Sequence, residues 1–132
     1  MGMGKDGTEG EIMSTTSRGR DFENFTAKQL EEAGYHIAFK SIRVRFGAID
    51  LDGVWDILAM KRNSPQEVVW LFVQCKSRRL YGKEKAVLIN WMKQWGFQGI
   101  NCAIAVKTKK KRKIGIEWHM LNNVPPPPSG YL

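Results

Sequence analysis

The chain has 132 residues, of which 42% are hydrophobic and 26% are charged, and this size and balance predict one globular domain. Its 21 lysines and arginines outnumber 13 acidic residues, so the net charge is +8, which favours a polyanionic partner, most commonly nucleic acid. The two separate cysteines, Cys75 and Cys102, exclude a disulfide scaffold, and without an apolar segment suited to a membrane span or a signal peptide we expect a cytoplasmic protein.

The first part of the chain is predicted to contain a tail, a helix and a strand. Residues 1–17 are rich in Gly, Ser and Thr, show no period and predict a flexible tail. Apolar residues from Phe22 to Ala33 follow a helical spacing, and Gly34 is placed to end that helix. The segment 35–44 then predicts a strand.

The second part of the chain alternates strand and helix signals. Strands are predicted at 55–60, 68–73, 100–106 and 114–118, with a turn at 62–65 and a helix at 83–95. The continuous apolar segment at 68–73 is typical of a strand buried on both faces. The proline-rich segment 122–132 predicts an extended tail, which leaves 18–121 as the folded domain. This order of elements predicts an α/β domain with a mixed central sheet and helices against it.

Polar residues interrupt the two apolar strands on either side of the turn. Asp56 lies inside the first strand. Gln74 and Lys76 are two residues apart at the end of the second, so they leave the same face of it, while Cys75 points to the other face. Because Asp56 and Gln74 are equally far from Pro65 along the chain, a hairpin centred on Pro65 places them opposite each other. We therefore expect a carboxylate, an amide and an ammonium group to converge.

These side chains are the types that phosphodiester hydrolysis requires. Asp56 and the Gln74 amide offer oxygen ligands to a hard divalent cation, which polarises a phosphate and acidifies a water. Lys76 then orients that water or stabilises charge on the phosphate. Alternatively, the three side chains are a structural ion pair, a solvated strand end and a satisfied core amide. Asp50 or Asp52 is a second ligand or, as we favour, a loop acid without a role.

The order of these motifs resembles the PD-(D/E)xK nuclease superfamily over residues 18–121. SRGRDFENFTAKQLEEAGY resembles the opening helix of archaeal-type Holliday junction resolvases, GVWDILAM their aspartate strand, and FVQCKSRR their (D/E)xK strand. The resemblance implies a restriction-endonuclease-like core that cleaves DNA with Mg²⁺ or Mn²⁺. It also implies a catalytic set of Glu23, Asp56, Gln74 and Lys76, of which Glu23, Asp56 and Gln74 hold the metal.

The chain departs from that family at two positions, and three functions stay open. Gln74 replaces the usual Glu, a version that resembles Mrr-type restriction endonucleases, and Trp55 replaces the Pro before the aspartate. The first function is a Holliday junction resolvase acting on four-way junctions as a homodimer, because both strands must be cut symmetrically. Trp91 and Trp95 are either part of its dimer interface or core residues. The others are a restriction- or repair-type endonuclease of the same fold, and a non-catalytic nucleic-acid-binding module.

Basic residues surround the proposed site in the sequence. We expect DNA phosphates to be contacted by Arg18, Arg20, Arg43, Arg45, Arg78, Arg79, Lys107, Lys109, Lys110, Lys111 and Arg112. The densest cluster, KTKKKRK at residues 107–113, is alternatively a solvated hairpin loop. The sequence contains no zinc-finger or helix-turn-helix motif, which favours recognition of DNA structure over recognition of base sequence.

Overall fold

The computed structural model describes residues 7–45, 47–78, 82–96, 100–122 and 127, and for residues 7–18 and Arg43 it describes the backbone alone. The predicted tail at 122–132 therefore lies outside the described residues except at 122 and 127. The elements are α1 (Gly7–Glu32), β1 (His36–Lys40), β2 (Ile42–Val44), β3 (Gly47–Ile49), β4 (Ile57–Ser64), β5 (Glu67–Lys76), α2 (Gly82–Trp95), β6 (Ile100–Lys110) and β7 (Lys113–Met120).

A five-stranded sheet in the order β1-β4-β5-β6-β7 forms the centre of the fold, and β2 and β3 form a separate hairpin. β5 and β6 are parallel, whereas the other neighbouring strands of the sheet are antiparallel. α2 follows β5 in the chain and returns it to the end of the sheet where β5 begins, so β6 runs parallel to β5. The predicted α/β class with a mixed central sheet is confirmed.

Both faces of the sheet are covered. Phe22 and Leu30 of α1 belong to a buried cluster that includes Val73 of β5. Leu88 of α2 belongs to a second buried cluster that includes Phe72. Successive residues of β5 thus pack on opposite faces, as the continuous apolar segment predicted. We call these the α1 face and the α2 face of the sheet.

The first helix is longer than the sequence predicted, although its end was predicted correctly. The predicted flexible segment 1–17 overlaps α1, which begins at Gly7. Gly, Ser and Thr have low helix propensity, but extending an existing helix costs far less than nucleating one. At the other end Gly34 has a φ of 97°, and the Tyr35 amide donates to the Leu30 carbonyl at 2.9 Å, as in a Schellman motif. No helix in the described part of the chain has the length and hydropathy needed to cross a membrane.

The strand predicted at 35–44 is two strands in different sheets, so that prediction was wrong. β1 ends at Lys40, and β2 begins at Ile42 and pairs with β3. Ser41 between them is buried, and its amide donates to the Asp56 carbonyl at 2.7 Å. An apolar alternation indicates strands but not the sheet that each strand joins. The break matters because it puts Ser41 beside Asp56.

The β4–β5 hairpin has the register that the sequence predicted. Ile57 faces Val73 and Arg62 faces Val68, so residues equally far from Pro65 are paired. The two strands run further than predicted, with β4 continuing to Ser64 and β5 reaching from Glu67 to Lys76. Asp56 directly precedes β4, and its amide donates to the Val73 carbonyl at 2.9 Å.

Candidate active site

One end of the central sheet collects most of the predicted site residues. β1 ends beside the start of β4, since Lys40 pairs with Ile57. Ile57 in turn pairs with Val73, three residues before the end of β5 at Lys76. The segment after β1, the segment before β4 and the last residues of β5 therefore meet at the same end of the sheet. We call this the active end of the sheet.

Asp56 is a buried carboxylate held by two hydrogen bonds. Its side chain is 6% exposed. The Cys75 amide donates to Oδ2 at 2.7 Å, and the Ser41 hydroxyl donates to Oδ1 at 3.1 Å. Burial raises the pKa of Asp56 to about 6; the hydrogen bonds from Cys75 and Ser41 oppose that rise, and the nearby negative charge of Asp50 adds to it. The site thus holds a carboxyl group whose ionised form is destabilised until a cation or a proton compensates it.

Asp50 lies next to Asp56, although the sequence favoured a loop acid without a role. The Ser41 hydroxyl donates to Asp50 Oδ1 at 2.5 Å, and the same hydroxyl reaches Asp56. A hydroxyl has one proton, so Ser41 serves only one of the two carboxylates at a time. Asp52 contacts α2 instead: its Oδ2 accepts a hydrogen bond from the Trp91 indole at 2.8 Å. Asp50 is the acid of this loop that can join a site at Asp56.

Gln74 and Lys76 share a cavity on the α2 face. The cavity has a volume of about 190 Å³ and is lined by Gly53, Val54, Gln74, Lys76, Glu84, Val87 and Leu88. The Gln74 Oε1 atom is buried and has no hydrogen-bond partner among the described residues. Cys75 packs instead against the cluster on the α1 face, as the alternation predicted. Gln74 thus lines the cavity with an amide whose buried oxygen has no donor among the described residues.

Glu23 approaches the sheet from the other side. It is 4% exposed and lies among buried residues of α1 such as Phe22 and Thr26. Since α1 covers the face opposite α2, Glu23 is not among the described residues that line the cavity of Gln74 and Lys76. A carboxylate is rare on the sheet-facing side of a helix, because burial of its charge is costly. The structure brings Asp56, Gln74 and Lys76 to the active end. Glu23 lies on the α1 face, one residue before Asn24, which accepts a hydrogen bond from Lys40 at that end.

The donor atoms at the active end fit a hard divalent cation in part. Asp50 and Asp56 offer carboxylate oxygens, and Gln74 offers a buried amide oxygen without a donor among the described residues. The described residues contain no group of three or more His, Cys, Asp or Glu side chains that could hold a metal ion. A cation bound here therefore depends on the neutral amide oxygen and on water for its remaining ligands, as is usual for Mg²⁺.

Two residues of this region have no role in the sequence-based prediction. Ser41 joins the two carboxylates, but a lone serine after a strand gives no signal in a sequence. Glu84, in the first turn of α2, lies 3.8 Å from the Lys76 ammonium and accepts hydrogen bonds from Arg78. An acidic residue in the first helical turn usually indicates only a favourable interaction with the helix dipole, so the sequence pointed to the helix start and not to the site.

The basic hairpin of β6 and β7 extends beyond the active end. Lys76 pairs with Val106 in parallel, so residues 107–110 continue past the end of β5 by about 13 Å, at roughly 3.3 Å per residue. A cavity of about 730 Å³ beside the turn has Lys110, Lys111, Arg112 and Lys113 among its lining residues. The hairpin thus presents positive charge on the same side of the fold as Asp56 and Lys76.

The other predicted DNA contacts are only partly described. Exposed side chains are found at Arg20, Arg45, Arg78, Lys109, Lys110, Lys111 and Arg112, and Lys107 is half-buried. Arg79 and the side chains of Arg18 and Arg43 lie outside the described residues. Of the two tryptophans of α2, Trp91 packs edge-on against Trp55 with ring centroids 5.4 Å apart, whereas Trp95 is exposed. Trp91 is therefore a core residue, and Trp95 alone stays free for an interface.

Comparison of the chain with protein-family models, with curated proteins and with solved structures gives no match. Any proposal about function therefore depends on the geometry described above. That geometry has three parts: the Asp50–Asp56 pair at the active end, the cavity lined by Gln74 and Lys76, and the basic β6–β7 hairpin.

Proposed function

We propose that the chain is a metal-dependent DNA endonuclease with a restriction-endonuclease-like fold, and that it acts on four-way junctions like the resolvases it resembles. The observation that carries this proposal is the β4–β5 register, which brings Asp56 to the strand end where Gln74 and Lys76 share a cavity. The basic hairpin beyond the same end supports an extended polyanion as the substrate.

Hydrolysis joins a water oxygen to the phosphorus, breaks the bond to the leaving sugar oxygen, and returns a proton to that oxygen. A divalent cation, when bound, supplies positive charge against the phosphate and makes the water more acidic. Asp56 and Gln74 are the residues that would hold it, and the Cys75 amide fixes the orientation of the Asp56 carboxylate. The Lys76 ammonium, on the same wall as Gln74, stabilises the charge that builds on the phosphate or orients the water.

The test is a cleavage assay with Mg²⁺ or Mn²⁺ on a panel of four-way junction, flap, nicked, single-stranded and linear duplex DNA. We expect symmetric cuts in the junction and much slower cleavage of the linear duplex. Asp56→Asn and Lys76→Ala should each reduce cleavage by at least about 100-fold, as expected when a group that acts on the transition state is removed. Asp56→Asn should retain DNA binding in EDTA, and Lys76→Ala should retain it with the loss of no more than about one phosphate contact.

Matched controls separate the site from general charge effects. Asp21→Asn and Lys28→Ala make the same charge changes at exposed positions of α1 and should leave cleavage unchanged. If the wild-type protein cuts duplex and leaves junctions intact, the substrate assignment fails and a restriction- or repair-type endonuclease replaces it. If both site variants cleave as the wild type does, the cleavage comes from a contaminant.

A non-catalytic nucleic-acid-binding module is the second candidate function. It is favoured by the neutral amide of Gln74 and by the lack of a group of three acidic or metal-binding side chains among the described residues. Under this alternative the protein binds branched DNA with the same affinity in EDTA and in Mg²⁺, and no cleavage product forms. Gln74→Glu separates the two candidates, because an additional carboxylate at a working metal site increases cation affinity.

A homodimer forms part of the proposal, because the described residues of one chain offer one such site and a junction needs two symmetric cuts. The exposed Trp95 of α2 is the position at which we test the dimer interface, because Trp91 packs against Trp55 in the core. Light scattering of the purified protein should give twice the monomer mass, and Trp95→Ala should shift it towards the monomer. A monomeric protein that still cuts both strands of a junction would contradict this arrangement.

A further inference from the structure

Two of the described cationic side chains at the active end, Lys76 and Arg78, contact the Glu84 carboxylate. Arg78 donates from Nη1 to Oε1 at 3.0 Å and from Nη2 to Oε2 at 3.2 Å. The Lys76 ammonium lies 3.8 Å from the same Oε2. Lys76 and Arg78 are two residues apart at the end of β5, whereas Glu84 belongs to the first turn of α2. The contact therefore joins the end of the strand to the start of the next helix.

The geometry of this contact matches the way arginine binds phosphate. A guanidinium group donates two parallel hydrogen bonds to a carboxylate and does the same to a phosphate, and a lysine adds a point charge to either. Glu84 also lines the cavity that contains Gln74 and Lys76. A phosphate at the place of the Glu84 carboxylate would thus meet both cationic groups at the mouth of the proposed site.

The ion pairs of Glu84 are accessible to solvent and can be replaced. The side chains of Lys76, Arg78 and Glu84 are 32%, 49% and 31% exposed. Ion pairs in contact with water contribute little to stability, because solvent screens them and their side chains lose conformational entropy. A backbone phosphate of DNA has one negative charge and two unesterified oxygens that accept the same hydrogen bonds, so it can displace Glu84 without disturbing the core.

We propose that Lys76 and Arg78 form a binding site for a backbone phosphate of DNA, which Glu84 occupies in the free protein and which DNA takes over by displacing it. The inference rests on the proposed function only in that the phosphate belongs to DNA. Glu84 acts here as a competitor that lowers the affinity for DNA. The basic β6–β7 hairpin is not part of this contact, so it is available for the first encounter with the polyanion.

The experiment compares Glu84→Gln with Glu67→Gln, which changes charge equally at the exposed start of β5, at the opposite end of that strand. Fluorescence anisotropy measures the binding of labelled four-way junction and duplex DNA in EDTA over a range of salt concentrations. Glu84→Gln should bind about 3- to 10-fold more tightly than the wild type and should steepen the slope of log affinity against log salt by about 1 to 2, as expected for one or two additional phosphate contacts. Glu67→Gln should change the affinity less than about 2-fold.

Two further variants show that the gain comes through the same pair of cations. Arg78→Ala combined with Glu84→Gln should lose most of the gain, because the guanidinium that binds the phosphate is no longer present. Glu84→Ala should reproduce the tighter binding if Gln at this position perturbs the start of α2. Urea unfolding of each variant confirms that it is folded. Equal affinities for Glu84→Gln and Glu67→Gln, or weaker binding by Glu84→Gln, would overturn the inference.

The outcomes also separate this inference from the proposed function. If the wild-type protein cleaves junctions and Glu84→Gln binds no more tightly than the control, the displacement fails and the nuclease stands. If Glu84→Gln binds more tightly and no DNA is cleaved under any divalent cation, the phosphate site stands and the catalytic proposal fails. If none of the proteins binds DNA at low salt, both the phosphate site and the nuclease proposal are wrong.

Discussion

The raised pKa of Asp56 gives the site a measurable effect on stability. Burial raises this pKa from its ordinary value of 3.8 to about 6, and the charge of Asp50 adds to the rise. The folded protein therefore binds the Asp56 proton more tightly than the unfolded chain does. The sign follows from linkage: the stabilisation is complete below the unfolded pKa and is lost as the pH rises through the folded pKa. At roughly 1.4 kcal/mol per pKa unit the loss is about 3 kcal/mol.

The perturbation that isolates this effect is Asp56→Asn, because the amide stays neutral at every pH of the experiment. In EDTA, the free energy of unfolding of the wild type minus that of the variant should fall by about 2.5 kcal/mol between about pH 4 and about pH 8, since the other titrating groups cancel in the difference. Urea unfolding at several pH values measures it directly. In thermal unfolding the same loss corresponds to about 10 °C for a domain of this size.

The paired variant is Asp50→Asn, which removes a charge that raises the pKa of Asp56. In that background the Asp56→Asn comparison should show a smaller loss, at lower pH, because one of the groups that raise the pKa of Asp56 is then absent. A difference between wild type and Asp56→Asn that stays constant over the whole pH range would refute the reasoning. It would mean that Asp56 is solvated or paired in the folded protein and is not destabilised by its surroundings.

Three further predictions test the other parts of the site. Mg²⁺ at about 100 times its dissociation constant should stabilise the wild type by about 2.7 kcal/mol at pH values above the Asp56 pKa; an equal shift in thermal unfolding for Asp56→Asn would place the ion elsewhere. Ser41→Ala removes the hydroxyl shared by Asp50 and Asp56 and should cost about 1 to 2 kcal/mol in urea unfolding, whereas an unchanged midpoint would show that the hydroxyl contributes nothing. Changing Lys109 and Lys111 of the exposed hairpin to Ala should reduce the salt dependence of DNA binding by about 1 to 2 in log–log slope; an unchanged slope would leave the hairpin as a solvated loop.

The parts of the fold that the sequence predicted are those fixed by local rules. The register of β4 and β5 follows from a short turn at Pro65 between two apolar segments, because a slip of one residue would reverse which side chains are buried. Phe72 and Val73 pack on opposite faces for the same reason. These rules bring Asp56 to the end of β5 without reference to any other part of the chain.

The parts that the sequence did not predict depend on contacts between distant segments. The segment 35–44 breaks at Ser41, whose partners Asp50 and Asp56 lie in other segments, and an alternating pattern does not reveal that β2 leaves the sheet. The roles of the loop acids could not be predicted for the same reason. Asp50 accepts a hydrogen bond from Ser41 and Asp52 accepts one from Trp91, and both donors lie in other segments of the chain. Such assignments need the tertiary structure, because spacing along the chain does not determine which of two acids points towards the site.

Two sets of charged side chains lie at the active end in the free protein. On one side, Asp56 shares one Ser41 proton with Asp50, and its raised pKa shows that this negative charge is under-compensated. On the other side, Lys76 and Arg78 both contact the solvent-accessible carboxylate of Glu84, which a phosphate can replace. A cation compensates the carboxylates of the first set, and a phosphate replaces Glu84 in the second. Because both would bind at the same end of the sheet, each reduces the electrostatic cost of binding the other. The affinity for DNA should therefore increase with divalent cation in the wild type, and this coupling should disappear when Asp56 is replaced by Asn.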